Sequence, residues 1–63
     1  MIADMEYKST QEKIAGLLFT IQEELKTHAK DQKQNTENWG YVGDVQHILD
    51  GLQEIYGFLT NKD

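Results

Sequence analysis

Apolar residues recur in this chain at helical spacing in two blocks, with one polar segment between them. Tyr7, Ile14, Ile21 and His28 fall seven apart, with Leu17, Leu18 and Leu25 beside them. Val45, Leu52 and Leu59 repeat the interval, flanked by Ile48, Leu49, Ile55 and Tyr56. This spacing predicts an all-α chain of two amphipathic helices of about six turns each.

Size then sets the problem such a chain must solve. At 63 residues it makes one small domain. A chain this short buries only roughly 60% of its unfolded surface. Scaffolds of this length add disulfides, a metal or further copies of themselves. Cysteine is absent, so no disulfide, thiolate metal site or cysteine nucleophile exists. Self-association is the remedy left.

The first helix is expected over about residues 9–30. Ser9 and Glu12 form a Ser-x-x-Glu capping pattern ahead of the stripe, and residues 1–8 read as a frayed lead-in. A start at Asp4 is the alternative, because Tyr7 lies in phase with Ile14. The stripe Ile14, Leu17, Leu18, Ile21 and Leu25 spans about 100° of the helix, the width of a core-facing face. Lys26 and Lys30 suit the negative end of the helix dipole.

Residues 31–38 are wholly polar and form the connection. The second helix is expected over about 39–60, capped by Thr36 or Asn38. A shorter helix capped by Gly43 or Asp44 is the alternative. The early start lets Tyr41 and Val42 continue the stripe of Val45, Ile48, Leu49, Leu52, Ile55, Tyr56 and Leu59. It also gives both helices roughly 33 Å, so that an antiparallel pair buries its whole stripe. Residues 60–63 are expected as a polar tail.

Charge narrows the possible partners. Eleven acidic residues face six lysines and no arginine, a net charge of −5. Residues 34–63 hold five of the acids against Lys62 alone. Phosphate backbones bind clustered lysine and arginine, so nucleic acid and anionic membranes are disfavoured. No apolar run approaches the roughly 20 residues of a membrane span. Residues 1–6 do not read as a signal peptide. A cytoplasmic protein is the expectation.

Two helices packed face to face cover only part of each other's apolar width. Two hairpins together close the core as a four-helix bundle. The expected architecture is therefore an antiparallel helical hairpin that forms a homodimer. Away from the stripes, Phe19 on the first helix and His47 and Phe58 on the second point elsewhere. Gly40, Gly43, Gly51 and Gly57 lie opposite the second stripe. These positions suggest a second contact surface; alternatively, Gly40 and Gly43 belong to a turn and the aromatics are ordinary surface residues.

The run Asn38-Trp39-Gly40-Tyr41-Val42-Gly43-Asp44 concentrates the single tryptophan, a tyrosine and two glycines after the connection. Trp39 and Tyr41 either anchor a partner or plug the end of the bundle. The run resembles one in short, uncharacterised bacterial helical-hairpin proteins, and that resemblance implies no activity. In length and layout the chain also resembles the Rop family. The likeness implies a dimer of helical hairpins; Rop proteins bind an RNA–RNA complex, but no Rop sequence motif is matched here.

Glu24 with His28, and Asp44 with His47, place pairs of metal-ligand types at helical spacing. The two pairs sit differently relative to their stripes and do not converge, so no metal or other cofactor is expected. No phosphate loop or nucleophile–base pairing appears, so no enzyme is expected. The reading is a small homodimeric protein–protein interaction module, an adaptor, inhibitor or regulator. Its candidate contacts are Phe19, Trp39, Tyr41, His47 and Phe58. The alternatives are a Rop-like nucleic-acid-binding regulator and a purely structural assembly subunit.

Overall fold

The computed structural model describes residues 2–61. Met1, Lys62 and Asp63, which belong to the expected polar ends, lie outside the described residues. Two α-helices make up the chain, α1 (Ile2–Lys33) and α2 (Gly40–Thr60), with no strand among the described residues. The chain divides into two units between Asp31 and Gln32.

α1 starts seven residues before the Ser9 start favoured by the capping pattern. The reason is local. Nothing between Ile2 and Ala15 breaks a helix, and Ala3, Met5, Glu6, Lys8 and Gln11 are good helix formers. Asp4 stands in the first turn, where its charge suits the positive end of the dipole. Ser9 and Glu12 therefore lie inside the helix and do not mark its beginning. The helix also runs three residues past Lys30, bringing Lys33 into the last turn.

The helices are consequently unequal. α1 has 32 residues and α2 has 21, or about 48 Å against about 32 Å at 1.5 Å per residue. The expected match in length does not hold.

Three short-range side-chain contacts lie along α1. Lys26 Nζ donates to Glu23 Oε2 at 3.0 Å, between exposed groups. Such a pair contributes only a few tenths of a kcal/mol. Gln11 Nε2 donates to the Tyr7 hydroxyl at 3.1 Å, and Thr20 Oγ1 folds back onto the Gly16 carbonyl at 3.0 Å.

The connection turns without a left-handed residue. The Asn35 N–H donates to the Gln32 carbonyl, Asn38 to Asn35 and Tyr41 to Asn38, at 3.0, 3.0 and 3.3 Å. These are three successive turns closed between residues three apart. No described residue has a positive φ, so none of the turns requires glycine, although Gly40 lies within the last of them.

α2 begins where its sequence signal lies. Trp39 already has helical dihedrals, φ −67° and ψ −13°, and makes no side-chain cap. The preceding residue does that job: Asn38 Oδ1 accepts the Gly40 N–H at 2.9 Å. This is an N-cap in function, satisfying one of the free amides of the first turn. We expect Asn38→Ala to cost about 1 kcal/mol, measured as a thermal midpoint roughly 4–8 °C lower. An unchanged midpoint removes the cap from the account. At the other end the Asn61 N–H donates to the Gly57 carbonyl at 2.9 Å, and Thr60 Oγ1 donates to the Tyr56 carbonyl at 3.0 Å.

No described residue is buried. Most half-buried positions follow the stripes, Gly57 on the other side of α2 being the exception. On α1 they are Ile21, Leu25, His28 and, near its end, Gln32, separated by four, three and four residues. On α2 they include Tyr41, Val42 and Ile48. The remaining stripe residues, Ile14, Leu17, Leu18, Val45, Leu49, Leu52, Ile55, Tyr56 and Leu59, are exposed.

Candidate protein-contact site

The start of α2 is the most built-up part of the second unit. Asn38, held by its own turn and its cap, stands beside Gly40. A Cβ at Gly40 would come within 3.0 Å of Asn38 Oδ1, so glycine leaves this carboxamide room to reach the helix amides. Tyr41 follows one residue on. Its hydroxyl accepts a long hydrogen bond, 3.5 Å, from Asn35 Nδ2 in the connection. Together Asn38, Gly40, Tyr41 and Asp44 line an open hollow of about 270 Å³. That is slightly under the roughly 300 Å³ at which small-molecule pockets begin.

Trp39 adjoins this hollow and is 79% exposed. Indole rings carry a large apolar area and a single donor, a combination enriched where proteins meet.

The four candidate contacts of the second unit do not share one face of α2. Trp39 and Tyr41 share the beginning of α2, but on a helical wheel Tyr41 falls with Val45, Ile48 and Leu52. His47 and Phe58 fall on the opposite side. Phe58 also lies about 28 Å along the axis from Trp39. Phe19 belongs to α1, off its stripe. Exposure does not separate contact residues from stripe residues: Phe19 is 62% exposed and Leu17 61%.

Three residues carry roles that the sequence pattern did not single out. Asn35 holds the Tyr41 hydroxyl, and an asparagine six residues before an aromatic carries no recognisable signal. Ile2 and Met5 stand on a formed helix, 80% and 69% exposed, although the lead-in had been expected to fray. The absence of proline and glycine there was the available signal.

Among the described residues, no group of three or more His, Asp or Glu side chains could hold a metal ion. No helix of the described residues is long and apolar enough to cross a membrane. No family model, curated protein or solved structure matches the chain.

Proposed function

We propose that the chain folds back as an antiparallel helical hairpin, and that two copies associate into a four-helix bundle working as a protein–protein interaction module. The observation that carries this reading is the exposure of both stripes at once. Large apolar side chains at helical spacing stay in contact with water, and no described residue is buried. Covering such side chains contributes roughly 1.5–3 kcal/mol each, far more than the exposed Lys26–Glu23 pair offers.

The hairpin has a natural register. Folding about the middle of the connection sets Ile14 opposite Leu59, Leu18 opposite Ile55, Ile21 opposite Leu52 and Leu25 opposite Ile48. Every pairing is apolar on both sides. Residues 2–12 of α1 then extend past the end of α2. The same reading makes Trp39, Tyr41, His47, Phe58 and Phe19 separate candidate contacts for another protein, the chain acting as adaptor, inhibitor or regulator. A cytoplasmic setting suits a chain without cysteine.

Sedimentation across a wide concentration range tests the association. Two copies per particle at micromolar concentration are expected; a single copy at every concentration rejects the bundle.

One observation favours a nucleic-acid-binding reading. Because α1 is continuous, Lys8, Lys26 and Lys33 project within about 20° of one another on an ideal helix. Against it, Lys26 is paired with Glu23, and α2 carries no lysine or arginine. Binding of this kind weakens steeply with salt. Titration with duplex RNA at low and moderate salt should show no saturable complex, and a saturable, salt-sensitive one would promote this reading over the first.

A further inference from the structure

We propose that α2 is a conditional helix, formed when its apolar stripe is covered and lost when it is not, whereas α1 keeps its helix without cover. The inference rests on the dimer reading above for what does the covering. It comes from how differently the two helices are supported by their own residues.

α1 has 32 residues and one glycine, Gly16, with alanines at 3, 15 and 29 and many lysines, glutamates and glutamines. These residues favour helix with little help from packing. Asp4 suits its first turn, and Lys26 pairs with Glu23 one turn away.

α2 has the opposite character. Its 21 residues hold four glycines, Gly40, Gly43, Gly51 and Gly57, and the β-branched Val42, Val45, Ile48, Ile55 and Thr60. Glycine gains the most freedom when a helix melts, and β-branched side chains lose rotamers on entering one. No acid stands in its first turn and no base in its last. Without lysine or arginine it can form no stabilising Glu–Lys pair between turns. Nothing within 4 Å meets a Cβ built at Gly43, Gly51 or Gly57, so no contact in a single copy requires glycine there. Beyond the Asn38 cap and the Thr60 hydroxyl at its ends, what favours α2 is its stripe, and most helical stability in proteins comes from packing of such a face.

The consequence reaches the candidate contacts. His47 and Phe58 share one side only while α2 is helical, and Trp39 and Tyr41 keep their places only while its first turn holds. Partner contact is thereby gated by association of the chain with itself.

Amide hydrogen exchange on the full chain, followed by NMR above and below the association midpoint, tests this. In dilute, single-copy samples the amides of residues 49–56 should exchange at least about tenfold faster than those of residues 18–25. At high concentration both segments should be protected. Equal protection of the two segments in single-copy samples overturns the proposal. The triple variant Gly43→Ala, Gly51→Ala, Gly57→Ala should restore α2 protection on dilution. No recovery in that variant overturns the assigned cause. Sedimentation of the same samples separates this proposal from the dimer: a chain that never pairs rejects the dimer, while the comparison of α1 with α2 in single copies still decides the inference.

Discussion

Replacing Ile21 with aspartate should turn a two-copy assembly into single copies. Ile21 lies at the middle of the α1 stripe and is already half-buried. In the proposed bundle a carboxylate there would lose its water and find no cation, because the facing helix has none. An unpaired buried charge costs about 3–5 kcal/mol, so self-association should weaken by at least about 100-fold. Sedimentation equilibrium reads this directly. Glu23→Gln, two residues away but outside the stripe, is the control and should leave the assembly intact. If Ile21→Asp pairs as tightly as the parent chain, the stripe is not what holds two copies together.

The second large effect concerns which face of α2 becomes covered. Leu52 is the least exposed of the large apolar residues that remain in water, at 37%. In the proposed register it faces Ile21. Leu52→Ala should lower stability by about 2–5 kcal/mol through lost apolar contact and the cavity left behind. Phe58→Ala, on the opposite side, should change it by less than about 0.5 kcal/mol, as surface substitutions do. Chemical denaturation of the two variants at matched concentration gives the comparison. Equal losses, or a larger loss for Phe58, would assign the covered side to the glycines instead.

The helices themselves were legible because period is a robust signal. Seven-residue intervals in both blocks and a polar segment between them leave little room for another class. Their ends were less so. Ser9 and Glu12 make a good capping pattern, yet the residues before them favour helix strongly enough to continue it to Ile2. A cap is used only where the chain would otherwise leave the helix. Asn38 shows the converse: two closed turns bring the chain to it, and its carboxamide meets a free amide. The turns themselves gave no sign, because right-handed turns accept ordinary residues such as Asn35, Thr36 and Glu37 and need no glycine.

The site was legible only as a set of residue types. Trp39, Tyr41 and Asn38 could be read as a special run, and the structure shows how Asn38 and Tyr41 are held. The hydrogen bond from Asn35 to Tyr41 could not be read, since it depends on how the turns fold the chain. Nor does exposure sort Phe19 from Leu17, because covering a helix stripe requires another helix, and sequence pattern alone identifies the stripe without its cover.

Trp39 gives this molecule a built-in optical probe. It is the single indole in the chain, and it stands in water at the junction of connection and helix. Its emission in a lone copy should resemble that of indole in buffer and be readily quenched by iodide. Any event that seats the ring against protein should shift the spectrum to the blue and shield it from quencher, without a dye or label attached.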